Sequence, residues 1–143
     1  MARIVSPNGF TRMVVVAALL RSRTKLLACQ RKRGSAFEFK WEFPGGKVRP
    51  GESLEAALER ELREELAVNA RVGHEVYRTH HHYAEMAEPL EVVFFTAEVE
   101  AEKIRNCVFE RIEWVATEAL GELDFLEADR DLIALLASGT LRF

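Results

Sequence analysis

Residues Gly45–Val68 read GGKVRPGESLEAALERELREELAV, and this stretch decides how the rest of the chain is read. Two glycines follow Pro44 and permit a tight turn with close backbone approach. A short connector then leads into a glutamate-rich run of strong helix formers. With a helix starting near Ser53 and stepping about 100° per residue, Leu54, Ala57, Leu58, Leu62 and Leu66 gather into one apolar stripe. Glu55, Glu59 and Arg63 lie towards the outside. Glu61 and Glu65 instead fall within the angular span of the stripe, and Glu64 lies just beyond its edge.

That placement is costly. Glu61 and Glu65 form an i,i+4 like-charge pair, which repels by roughly 0.2–0.5 kcal/mol even on an exposed helix. Partial burial adds a larger desolvation penalty unless a cation compensates, and Arg60 alone cannot neutralise three carboxylates. A divalent metal can. A hard, oxygen-rich cluster of this kind suits Mg²⁺ or Mn²⁺ and not zinc.

Gly46, five residues, Glu52, seven residues, then Arg60-Glu61-Leu62-Arg63-Glu64-Glu65 resembles the Nudix box, the signature of the Nudix hydrolases. The resemblance implies a hydrolase, MutT-like, that cleaves a nucleoside diphosphate linked to another moiety by attack of water on phosphorus. It implies Mg²⁺, which Mn²⁺ can replace, on Glu61, Glu64, Glu65 and the Gly45 carbonyl. One of these glutamates, or a neighbour of the cluster, would act as base. Arg60 would orient a glutamate, and Glu52 would be a structural acid. Two positions depart from the family pattern. Ala67 stands where the family usually has glycine, which predicts a slightly longer helix. Val108 stands where a further acid is common, with Glu110 and Glu113 nearby as replacements.

Outside the box, the 143 residues suffice for one domain with a substantial core, and no repeat or linker divides residues 1–143. Hydrophobic residues make up 48% and charged residues 30%, the balance of a water-soluble globular chain. A net charge of -3 gives no reason to expect duplex DNA or an anionic membrane as partner, and leaves a small nucleotide open. Cys29 and Cys107 form no disulfide framework and fit no zinc spacing, which points to a cytoplasmic location. A monomer and a homodimer are both compatible with these features.

Residues 1–11, with Pro7, Asn8 and Gly9, read as a loose lead-in. Met13–Leu20 and Lys25–Gln30 read as a hairpin, followed by a basic loop at Arg31–Arg33. After the glutamate helix, Ala70–Glu75 and Val76–Tyr83 read as extended segments, with a loop at Ala84–Pro89 and a strong strand at Leu90–Val99. A short strand at RIEWV, a helical turn at Thr117–Leu120 capped by Thr117, and a final helix at Ala128–Ser138 complete the chain. Strands on both sides of an amphipathic helix, closed by a second helix, predict an α/β protein whose mixed β-sheet has helices on both faces. This order agrees with the α/β/α sandwich of the Nudix fold.

Substrate contacts are expected at four positions. Phe43, or its neighbour Trp41, either belongs to the core or lines a base pocket. Among His80, His81 and His82, strand alternation leaves at most His80 and His82 on one face, and His82 is the candidate for the cleft. Arg31 and Asp129 follow from the resemblance: they match a substrate-contacting arginine and a base-contacting residue of MutT-type enzymes. Asp129 also reads as a helix cap. An ionised carboxylate there would accept from guanine, 8-oxoguanine or the cytosine amino group. The expected reaction is cleavage of a (deoxy)nucleoside triphosphate to monophosphate and pyrophosphate, of 8-oxo-dGTP type. The alternatives are a (d)CTP type, a dinucleoside polyphosphate, a nucleotide sugar or capped RNA, and, in another class, a non-catalytic nucleotide-sensing module.

Overall fold

A computed structural model describes residues 4–5 and 11–143, with side chains from residue 13 onward. Pro7, Asn8 and Gly9 lie outside the described residues.

Strand β1 (Ile4–Val5) pairs with the start of β2 (Thr11–Ser22), the long strand from which the sheet grows. The end of β2 turns back into β3 (Lys25–Gln30), as the hairpin pattern predicts. β4 (Trp41–Glu42) pairs with β3, and β5 (Gly45–Lys47) runs antiparallel to the middle of β2. Helix α1 (Leu54–Leu66) follows, then β6 (Arg71–His81), β7 (Leu90–Glu98) and β8 (Arg111–Ala116). Helix α2 (Arg130–Ala137) is preceded by two 3₁₀ turns, Thr117–Glu122 and Glu127–Asp129. β7 is parallel to β2 and every other pairing is antiparallel, so the sheet is mixed.

Alternation along the strands splits the core in two. Val14, Val16, Ala18 and Leu20 of β2 join Leu27, Cys29, Val93 and Phe95 under Leu58, Leu62 and Leu66 of α1. Ala17, Leu19, Leu26, Ala28, Val92 and Phe94 point the other way, against Leu132, Ile133 and Leu136 of α2. Side chains at successive strand positions face opposite sides, so each strand supplies both layers. This is the expected sandwich.

Some local expectations are corrected. The helix does not run past Leu66: Ala67 takes a left-handed conformation, φ 56° and ψ 36°, and its N–H bonds the Arg63 carbonyl. Alanine has adopted the geometry that glycine favours, because the following loop must leave the helix sharply. Ala70–Glu75 and Val76–Tyr83 are not two segments but one strand, bent by register shifts between Val72 and Tyr77. Thr117 caps nothing; its hydroxyl donates to Glu118. Ser53 does cap α1, accepting the Ala56 N–H.

Candidate active site

The turn between β4 and β5 meets the inner face of α1. A Cβ on Gly45 would lie 2.0 Å from the Val16 carbonyl oxygen, so only glycine lets this strand reach β2. A Cβ on Gly46 would lie 2.4 Å from the Glu61 carboxyl carbon. The second glycine therefore makes room for a carboxylate. Gly45 N–H donates to Glu65 at 3.0 Å, which fastens the turn to the helix and leaves the Gly45 carbonyl out of that bond.

Glu61, Glu64 and Glu65 emerge as the stripe predicts. Glu61 is 16% exposed and Glu64 49% exposed. Burial is the largest reason that Glu65 is pushed up to about 9, followed by the negative charges of Glu42 and Glu61. Arg60 is committed elsewhere first: Nε and Nη2 clamp Glu52 at 2.7 and 2.9 Å. Nη1 reaches Glu61 at 2.8 Å and Glu64 at 3.3 Å, and Nη2 also takes the Lys47 carbonyl. The Arg60 bond, helped by the Arg49 N–H, holds Glu52 down to about 2. Glu52 is thus tied into the Arg60 clamp, and among the described residues Arg60 makes no hydrogen bond to Glu65.

A fourth carboxylate, not singled out from the sequence, completes the cluster. Glu42 pairs with Cys29 across β3–β4, which turns it to the α1 side of the sheet, opposite Trp41 and Phe43. Burial pushes it up to about 6 against the pull of Arg31. The alternation Trp41-Glu42-Phe43, with two core aromatics flanking an acid, was the available signal. Burial, then Glu65 and Glu42, push the Cys29 thiol up as well. The region is short of positive charge.

These donors fit a divalent cation: they are hard oxygens, half-buried Glu65 has a raised proton affinity, and glycine clears space for Glu61. No three acidic, histidine or cysteine side chains among the described residues already stand in ligating geometry. Arg60 and the Gly45 N–H occupy part of the oxygen surface instead.

The expected substrate residues lie in different surroundings. Arg31 bonds both Glu42 oxygens at 3.2 and 3.1 Å and the Ala36 carbonyl at 2.7 Å, so its guanidinium serves the cluster. Phe43 is 3% exposed and packs on Phe94 and Phe125, which corrects its reading as a base platform: it is core. His82 is corrected too. The strand ends at His81, and the His82 ring lies 3.1 Å from the Met86 carbonyl within the hairpin loop. His80 faces the α1 side and bonds buried Glu91. His81 is the histidine on the α2 side, edge-on to Tyr83 at 4.4 Å and 3.3 Å from Glu127. Glu113 pairs across the sheet with Ala28, on the side away from α1, and Glu110 accepts the Arg33 N–H. Val108 itself is exposed.

Asp129 lies at the start of α2, 5% exposed, and its side chain caps no helix N–H. Burial, then Glu42, raise it well above the usual carboxylate range. Tyr83 and Phe37 line the same corner, their ring centroids 4.8 Å apart. Phe37 and Phe39 both carry positive φ, 56° and 65°, a strain of roughly 1–2 kcal/mol each that the loop over this corner sustains.

The NUDIX domain family model matches residues 10–136. The chain is 36% identical, over 88% of each sequence, to a Mycobacterium tuberculosis protein named "Putative 8-oxo-dGTP diphosphatase 2". It is 52% identical over 59 residues to the Escherichia coli protein named CTP pyrophosphohydrolase, a match spanning 44% of that relative's length. Among solved structures it resembles the E. coli ORF135 protein, with TM-score 0.74 and 30% identity over 89% of this chain and 92% of that one. It also resembles a MutT protein from Methanosarcina mazei, with TM-score 0.79 and 25% identity over 92% and 96%.

Proposed function

Because the chain belongs to the NUDIX family of hydrolases, we propose that it cleaves a (deoxy)nucleoside triphosphate to the monophosphate and pyrophosphate, with Mg²⁺ as its cation. The observation that carries this reading is the half-buried Glu65, bonded by the Gly45 N–H beside a glycine turn whose second glycine clears space for the Glu61 carboxylate. Glu61, Glu64, Glu65 and the Gly45 carbonyl would hold the cation. When bound, it supplies charge neutralisation for the polyphosphate and acidity for the attacking water.

The chain's own residues do the rest. Arg60 holds Glu61 and Glu64 in place through its clamp on Glu52. Arg31 keeps Glu42 ionised nearer to neutrality than burial alone would allow. A carboxylate of the cluster takes the proton of the attacking water, and the buried corner at Asp129 receives the base. Asp129, a carboxyl at that buried corner, suits an 8-oxo-dGTP type, because its oxygens can accept from the N1–H and amino group of the purine. The named Mycobacterium relative supports the same reading. The local identity to the E. coli CTP pyrophosphohydrolase supports a (d)CTP type as the second reading. Two free cysteines, one buried and one exposed, support a cytoplasmic setting. No helix among the described residues is long and apolar enough to cross a membrane.

The test is a panel of triphosphates, dinucleoside polyphosphates and nucleotide sugars with Mg²⁺, read as initial rates of pyrophosphate or phosphate release. Glu64→Gln is expected to lose about 100-fold or more in kcat while keeping its melting temperature. No turnover of any triphosphate would sink the substrate class, and undiminished turnover by Glu64→Gln would sink the cluster's role.

A further inference from the structure

The short turn Glu127–Asp129 is met by two residues, one at the end of β6 and one just beyond it. The Ala128 N–H donates to the Tyr83 hydroxyl at 2.8 Å, a buried bond between residues 45 apart in sequence. One residue earlier, Glu127 lies 3.3 Å from His81. Tyr83 is 6% exposed, with its ring pressed between Phe37 at 4.8 Å and His81 at 4.4 Å. Asp129, the next residue after Ala128, draws no side-chain hydrogen bond from the described residues and no cap of its own. Its direction is set through its backbone, by its own N–H on the Leu126 carbonyl and by the amide of Ala128 before it. A buried phenol that accepts one N–H still has an O–H to donate, and a backbone N–H at a helix entrance needs an acceptor.

We infer that Tyr83 is a positioning residue for base recognition: its hydroxyl fixes the Ala128 amide, and so sets the angle at which Asp129 meets the nucleobase. The inference rests on the reading of Asp129 as the base contact. Among the described residues the Tyr83 hydroxyl bonds Ala128 and neither the Gly45–Gly46 turn nor α1, so its influence falls on which base binds and how tightly. The loop carrying Phe37 presses on the same ring, which makes its strained backbone part of the same device.

The test uses the full-length protein with Mg²⁺ and three triphosphates, 8-oxo-dGTP, dGTP and dCTP. Tyr83→Phe, Asp129→Asn and the double variant are compared by KM, kcat and thermal melting. Tyr83→Phe is expected to raise KM for the preferred triphosphate about five- to tenfold, with kcat kept within about twofold, and to compress the ranking of the three bases. In the Asp129→Asn background the same change should add nothing, because it acts through that carboxylate. Phe37→Leu, which loosens the ring but keeps the hydroxyl, should compress the ranking in the same direction, and it carries the test if Tyr83→Phe does not fold. An Asp129→Asn variant that alters ranking beside a Tyr83→Phe variant that does not would overturn the positioning role alone. A uniform fall in kcat with a lower melting temperature and an unchanged ranking would reduce Tyr83 to a structural residue and overturn it as well. An unchanged ranking in Asp129→Asn itself would overturn the base-contact reading, and this inference with it.

Discussion

Raising the pH from 7 to 8.5 should tighten cation binding to the nucleotide-free protein. The cause is Glu65, whose proton is held up to about 9 by burial and then by Glu42 and Glu61. A cation takes the carboxylate only in its ionised form, so it must displace that proton. With a pKa of about 9, roughly 1% of Glu65 is ionised at pH 7 and about a quarter at pH 8.5, which predicts an affinity gain of roughly 25-fold. Close to one proton should leave per cation bound at pH 7. Titration with Mn²⁺ in a calorimeter, in two buffers of different ionisation enthalpy, reads both quantities at once. Glu65→Gln should bind weakly at both pH values and release no proton. An affinity that moves by less than about twofold, with no proton release at pH 7, would refute the assignment of that raised carboxyl to the cation site.

The same group fixes the sign of the pH effect on stability. Its folded pKa lies above the ordinary 4.5, so protonation favours the fold. The contribution is fully present below 4.5 and is lost as the pH rises through about 9. The metal-free protein should therefore melt at lower temperature at pH 8.5 than at pH 6, and saturating Mn²⁺ should close most of that gap.

Three further outcomes follow from particular contacts. Gly46→Ala drives a methyl into the Glu61 carboxylate, whose flexible end can move aside; the melting temperature should hold while Mn²⁺ affinity falls about 10- to 100-fold. Ala67→Gly relieves a left-handed alanine at the end of α1; it should add about 1 kcal/mol, or roughly 2–4 °C, in a thermal melt, and no gain would mean the loop imposes no strain there. Arg31→Ala removes the cation that opposes the burial of Glu42; Mn²⁺ affinity without nucleotide at pH 7 should drop about tenfold, whereas an Arg31 that served only phosphates would change nucleotide KM and leave that affinity alone.

Helix α1 was legible because everything that places it is local. The stripe from Leu54 to Leu66, the Ser53 cap and the intrusion of Glu61 and Glu65 all lie within one periodic run. The two-layer core was legible for the same reason, since β2, β3 and β7 alternate cleanly. What failed was wherever a neighbour distant in sequence decides. The bulge near Gly73 and the strand end at His81 determine which histidine faces α2, and no pattern in a run of three histidines carries that. The Tyr83–Ala128 bond joins residues 45 apart. Glu42 was passed over because its importance comes from Glu65 and Arg31, on other elements. Ala67 was misjudged through propensity: alanine prefers helix, and the turn that follows overrides it.

Glu42 also explains why the two halves of the site are not electrically independent. Its charge bears on Glu65, where the cation would sit, and on Asp129 and Tyr83, where the base would sit. Arg31 is its only hydrogen-bonding cation among the described residues, and that bond leaves it raised to about 6. Near neutral pH Glu42 is therefore mostly ionised, and its charge adds to burial in raising both Glu65 and Asp129. A cation held by Glu65 relieves the first of these directly. It would also screen Glu42 and so weaken the push that this charge adds at Asp129. A cation on the box glutamates would then bear on Asp129 through Glu42, a charge that neither the helix nor the base corner contains.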